Sequence, residues 1–150
     1  MKPVTREGQE PVWTMGPGRT ATLKLLSEQS GEKAMMFEEI APAGAGTDSH
    51  LHHGSDEIMY VLDGDFTFRV GEIVTSGGAG TCVFMPRGIA HAWKNTGGRV
   101  GRVLIMYTPA QAGKVFEEMA QEQREWSSND QELVQKLRRY GWEIIGPDPF

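Results

Sequence analysis

His50 and His52 lie two residues apart, Glu57 follows five positions later, and His91 is the only histidine outside the segment from Gly44 to Gly64. On an extended strand residues two apart point to the same side, so the His50 and His52 imidazoles can be presented to one point. Glu57 stands an odd number of positions beyond His52, and an unbroken strand would send its carboxylate to the opposite face. Gly54, Ser55 and Asp56 provide a turn, after which Glu57 opens a new strand and faces the imidazoles again. His91 follows a second turn signal, Pro86-Arg87-Gly88, and opens another strand. A single histidine is most often solvated or hydrogen-bonded. Three imidazoles and a carboxylate brought in by three strands instead suit one divalent transition metal (Fe, Mn, Co, Ni, Cu or Zn), with positions left open on an ion that prefers five or six ligands. The expected ligands are therefore His50, His52, Glu57 and His91. His53 alternates to the other face and reads as a surface or outer group.

The elements that must position these side chains are short strands. Gly occurs 19 times in 150 residues, in pairs such as Gly77-Gly78 and Gly97-Gly98, which suits a chain that turns often. Leu23 to Leu26, Ala34 to Ile40, Ile58 to Leu62, Phe66 to Val70, Thr81 to Met85, Ala90 to Lys94 and Val100 to Thr108 read as strands of a sandwich or barrel. Asp63-Gly64 reads as a type I′ turn joining two neighbouring strands as a hairpin. Ile58, Tyr60 and Leu62 alternate with Glu57, so they form an outward apolar face that a helix or a second subunit is expected to cover. Cys82 reads as a buried, inert thiol. Gly16-Pro17-Gly18-Arg19-Thr20-Ala21 fits a dinucleotide fingerprint formally, but no buried strand precedes it and no helix follows, so it reads as a loop.

Near Pro109 the pattern changes to helical spacing. Val115, Phe116 and Met119, prolonged by Trp126, predict one amphipathic helix. Ser128 with Gln131 predicts a capping box opening a second, with Leu133, Val134, Leu137 and Tyr140 on its apolar face and Gly141 at its end. The expected organisation is a β body over 1–108 and a helical extension over 109–150 that packs on the body or on a partner.

These residues resemble the cupin superfamily. Gly44, His50, His52, Glu57 and Gly64 match its first motif, and Gly80, Pro86, Gly88, His91 and Asn95 match its second. The resemblance implies an all-β double-stranded β-helix, the jelly-roll barrel, with His50, His52, Glu57 and His91 as metal ligands, and often a dimer. Tyr60-Val61-Leu62-Asp63-Gly64, Pro86-Arg87-Gly88 and the tail from Arg139 to Pro147 are similar to single-domain bacterial quercetin dioxygenase-like cupins.

Continuing the Glu57 and His91 faces along their strands places Met59, Val61, Trp93 and Asn95 as the walls of a mostly apolar substrate pocket. The leading expectation is a quercetinase-like, metal-dependent dioxygenase acting on a small apolar or aromatic oxygenated compound, with Glu57 also accepting a proton from substrate. A non-redox isomerase, lyase or decarboxylase is the alternative, although a sugar phosphate would require an inward Lys or Arg that these strands do not supply. A non-enzymatic small-molecule or metal-binding module is the third. The net charge of −5 without a basic cluster excludes nucleic acid and anionic lipid as expected partners. The start lacks a secretory apolar run and the one cysteine forms no internal disulfide, so the expected setting is cytoplasmic. A homodimer is expected.

Overall fold

The computed structural model describes residues 2–125, Ser127 and 129–150. Its strands are β1 (Val12–Gly16), β2 (Arg19–Leu25), β3 (Met35–Ala41), β4 (Ser49–His52), β5 (Asp56–Asp63), β6 (Phe66–Val70), β7 (Ile73–Gly77), β8 (Cys82–Met85), β9 (His91–Asn95), β10 (Gly101–Thr108) and β11 (Trp142–Gly146). Two helices, α1 (Lys114–Glu122) and α2 (Gln131–Arg139), precede the last strand. One antiparallel sheet runs β1-β2-β3-β10-β5-β8 and the other β11-β4-β9-β6-β7. This is the jelly-roll arrangement, in which alternate side chains of both sheets meet between them.

Period-two burial explains the core. Met35, Phe37, Glu39 and Ala41 on β3 point inward, as do Val103, Ile105 and Tyr107 on β10 and Glu57, Met59 and Val61 on β5. Every second residue of these strands is buried because one face of each sheet must leave water. Gly46 forms an isolated bridge to Lys94, and a Cβ there would collide with the Trp93 carbonyl, so the loop before β4 lies tight against β9.

Several expectations are corrected. The segment from Gly16 to Ala21 is not a loop between other elements. Pro17-Gly18 turns a β1–β2 hairpin, and Arg19 is already in a strand. Asp63-Gly64 does not close a hairpin either: β5 pairs with β10 and β8, whereas β6 pairs with β7 and β9. The turn carries the chain from one sheet to the other, with Gly64 at φ +98° against the backbone of Gly101. Turn chemistry fixes a reversal locally but not whether the next strand joins the same sheet. Cys82 is exposed, because it lies on the outward face of the edge strand β8 opposite Tyr60.

Helix α1 buries Val115, Phe116 and Met119 as its spacing predicts. Helix α2 begins later than expected. Asp130 is its N-cap, accepting from the Glu132 and Leu133 amides at 3.0 and 3.2 Å, while Trp126 and Ser128 lie outside the described residues. The segment after Pro109 also does more than pack helices on the barrel. Its final strand, β11, adds to the second sheet beside β4, with Trp142 opposite His52 and Ile144 opposite His50. Neither helix covers the outward face of β5 and β8, where Tyr60 is 41% and Phe84 55% exposed.

Candidate metal centre

Strand β4 contributes His50 and His52, β5 contributes Glu57 and β9 contributes His91. One ligand atom from each lies within 4.8 Å of the others, and none of the four residues is more than 2% exposed. Since β5 belongs to one sheet and β4 and β9 to the other, the cluster spans the space between the sheets. His50 and His91 are direct cross-strand partners with ring centroids 4.5 Å apart, and His52 stands 4.9 Å from His91.

The two motif turns are tied together around this point. The Ser55 hydroxyl donates to the Pro109 carbonyl at 2.8 Å and accepts the Ala112 amide at 3.0 Å, which pins the bend that turns Glu57 back toward the imidazoles. Asp56 accepts the Arg87 backbone amide at 2.9 Å and its guanidinium at 3.1 Å, while the Gly88 amide donates to the His52 carbonyl at 2.8 Å. The Pro86-Arg87-Gly88 turn is thereby fixed against β4 and β5.

The hydrogen bonds select which nitrogens face the centre. His50 Nδ1–H donates to the Asp48 carbonyl at 2.8 Å and His91 Nδ1–H to the Ile89 carbonyl at 3.0 Å, which leaves Nε2 of each ring as the ligand atom. His91 Nε2 meets Glu57 Oε2 at 2.9 Å. Neither nitrogen of His52 has a hydrogen-bond partner among the described residues, although the ring is fully buried and its Nδ1 stands 3.7 Å from Glu57 Oε2. An unsatisfied buried polar group costs about 1–3 kcal/mol. A divalent ion accepted by the three rings and Glu57 would use such a nitrogen as a lone-pair donor, so the residues fit the metal that their types suggest.

Burial, with His91 nearby, pushes His50 down to about 3. Burial and the two neighbouring rings hold His52 well below the usual imidazole range. Burial alone would lower His91, but its hydrogen bond to Glu57 and the carboxylate charge outweigh it and raise the ring. In the metal-free protein His91 is accordingly the ring most readily protonated, with Glu57 facing its Nε2, while burial disfavours the charged forms of His50 and His52.

The cupin domain family matches residues 36–107. Those residues form a cupin domain. An uncharacterized protein of Streptomyces coelicolor is 32% identical over 66 residues, which are 44% of this chain and 62% of that relative, so the chain spans under two thirds of it. An RmlC-like cupin from Shewanella frigidimarina superposes with TM-score 0.63 at 19% identity, covering 74% of this chain and 94% of its own. A protein from Thermotoga maritima described as a predicted oxalate decarboxylase superposes with TM-score 0.59 at 24% identity, covering 70% and 97%. At these identities the two structures share the fold alone.

His50 and Glu57 of the ligand cluster border a small cavity of ≈ 20 Å³, about one water's worth. Arg19, Glu39 and Thr47 complete its polar lining, and Phe37, Trp93, Ile105 and Phe116 are among its apolar walls. Of the pocket residues expected from strand continuation, Trp93 lines this cavity. Met59, Val61 and Asn95 are buried but are not among its walls. Asn95 is committed elsewhere: its amide donates to the Ala41 and Arg99 carbonyls at 2.8 and 2.9 Å and accepts the Gly97 amide at 3.0 Å, so it latches the turn after β9.

Sequence reasoning missed Trp142, Tyr107, Arg19 and Glu39. Trp142 stacks on His50 at 4.8 Å and meets His52 edge-on at 4.4 Å, and its indole N–H donates to Ala112 at 2.9 Å. Tyr107 meets His52 edge-on at 5.2 Å, and burial together with Glu57 and Glu39 keeps its phenol protonated. Glu39 was detectable, because it stands on the apolar face of an otherwise alternating strand, where a charge has no local reason to be. The outer groups fall as expected: His53 lies on the surface, 2.7 Å from Glu143. Among the described residues no helix is long and apolar enough to cross a membrane.

Proposed function

We propose that this cupin is a metal-dependent dioxygenase that acts on a small apolar or aromatic oxygenated compound. The observation that carries it is the convergence of three buried imidazoles and Glu57, with no hydrogen bond to His52, at a point where His50 and Glu57 border a mostly apolar cavity. The metal, when bound, supplies electrophilic activation and redox capacity. The chain supplies the rest. His50 and His52 are neutral and ready to ligate, Phe37 and Phe116 flank the apolar part of the substrate, and Trp142 closes the barrel behind the rings. Glu57 both ligates and accepts the proton of a substrate hydroxyl.

The test is elemental analysis of protein purified without chelators, then O2 uptake with flavonols, catechols and diketones after restoring that metal. Uptake should match substrate consumed and cease without air. Turnover that persists anaerobically would replace this reading. Glu57→Gln is expected to lower turnover at least about 100-fold, and a variant with its metal and full turnover would remove the proton role.

A non-redox reading, isomerase, lyase or decarboxylase, is favoured by one observation. Arg19 lines the cavity, so an inward cation for a polar substrate exists after all. Anaerobic turnover with zinc is the result that selects it.

We also propose that a second copy of the chain covers the outward face of β5 and β8. Sedimentation should then show a species of about 33 kDa, twice the 16.6 kDa chain, at concentrations where dimers of ordinary interface size persist. A single 16.6 kDa species that Phe84→Asp leaves unchanged removes the proposal.

A further inference from the structure

Arg19 is the first residue of β2 and shares its inward face with the buried Ala21 and Leu23. Its side chain is 15% exposed. Within the barrel it meets Glu39, which is 1% exposed, through a single hydrogen bond from Nε to Oε2 at 3.1 Å. The guanidinium carbon lies 5.6 Å from the Trp93 ring centre, close enough for a cation–π contact. The terminal nitrogens Nη1 and Nη2 make no hydrogen bond to the described residues. A buried ion pair is weak evidence for stability, because apolar side chains of similar volume serve the fold as well. An arginine fork half engaged and half free, beside a metal cluster, has a chemical use instead.

Its position indicates what that use is. Arg19 and Thr47 line the small interior cavity and also an outer cleft of ≈ 330 Å³ beside Gly44–Asp48. They are the residues common to the two linings, so a molecule seated in the cleft has Arg19 between it and the His50 and Glu57 side of the cavity. The free Nη pair presents two parallel N–H groups, the geometry that a carboxylate accepts bidentately. The charge balance limits the ligand to one negative charge. Glu39 and Glu57 already face the cavity, Asp48 and Asp148 flank the cleft, and Lys94 compensates only Asp148, at 2.8 Å. A dianionic phosphate would be undercompensated by one arginine.

We propose that Arg19 is the specificity-determining residue of this site and that it selects small substrates bearing a single carboxylate, gripped by Nη1 and Nη2. The proposal rests on the substrate site lying beside the rings, with the carboxylate seated against Arg19 in the ≈ 330 Å³ outer cleft because the inner cavity of ≈ 20 Å³ holds no more than a water, and it is tested by binding alone. Titration calorimetry with benzoate, its neutral isostere benzamide and inorganic phosphate is run on chelator-treated protein and on protein loaded with Zn2+. Benzoate should bind at least tenfold more tightly than either of the others in both forms. Arg19→Gln should remove that preference while benzamide binding and zinc stoichiometry stay unchanged, and Arg19→Lys should retain part of it. Because Arg19→Gln strands the Glu39 charge, the double variant Arg19→Gln/Glu39→Gln carries the same test with neither charge present. Equal binding of benzoate and benzamide by the wild type, or a carboxylate preference that survives in the single or the double variant, overturns the proposal. Since no turnover is read, absent O2 uptake leaves it standing, and a missing carboxylate preference leaves the oxygenase reading standing.

Discussion

His52→Leu is expected to stabilise the metal-free protein by about 1–3 kcal/mol, the cost of an unsatisfied buried polar group, while abolishing retention of a divalent ion. The ring is fully buried and both of its nitrogens lack hydrogen-bond partners among the described residues. Leucine has a similar volume and nothing to satisfy, so the folded state gains when the imidazole goes. For a chain of this length the gain corresponds to a melting shift of about 2–10 °C. Metal reverses the order. An ion at about a thousand times its dissociation constant adds about 4 kcal/mol to the wild type and at most about 1.4 kcal/mol to a variant that has lost a ligand, whose affinity should fall by at least about 100-fold. Thermal melts with chelator and with added Zn2+ or Mn2+ read both signs. A variant less stable than wild type without metal, or equally responsive to added metal, would show that His52 serves packing rather than coordination.

The affinity of the folded protein for its metal should rise by about one decade per pH unit between about pH 5 and 6.5, corresponding to one proton released per ion. Three ordinary histidines, each titrating near 6.5, would together give a slope approaching three. Here His50 is pushed down to about 3 and His52 well below its usual range, so both are already deprotonated across that window. Only His91 is raised, by Glu57 working against burial, and its Nε2 proton must leave for the ring to ligate. The same shifts govern the stability of the metal-free fold with opposite signs. A depressed imidazole contributes stability that is complete above about 6.5 and is lost as pH falls toward 3, because the unfolded chain takes up a proton that the folded chain refuses. The raised His91 contributes below about 6.5 and loses its contribution as pH rises through its folded value. Competition against a chromophoric chelator at several pH values measures the slope, and a value near three would mean that the rings are solvated and independent.

Legibility followed distance along the chain. His50 and His52 could be paired from a two-residue spacing, and the Glu57 bend from three turn-forming residues, because these are local consequences of backbone geometry. Asp63-Gly64 shows the limit of the same reasoning: the turn is present, yet the strand beyond it belongs to the other sheet. The four pocket residues were read by continuing strand faces. That rule finds which side chains point inward, and all four are buried, but which inward residues border a void depends on how the sheets close. Only Trp93 does so.

Composition, turn residues and alternation thus sufficed for a β barrel with a two-motif ligand set, since each depends on interactions spanning a few residues. The inner arrangement needed contacts between positions far apart. Trp142 reaches His50 from the last strand because β11 pairs with β4, and Arg19 reaches the cavity because a hairpin unrecognised in the sequence turns its face inward against Glu39. The β11–β4 pairing leaves no local trace, because strand order is decided by the packing free energy of the whole barrel, and the Pro17-Gly18 turn signals a reversal without telling which face of β2 the barrel encloses.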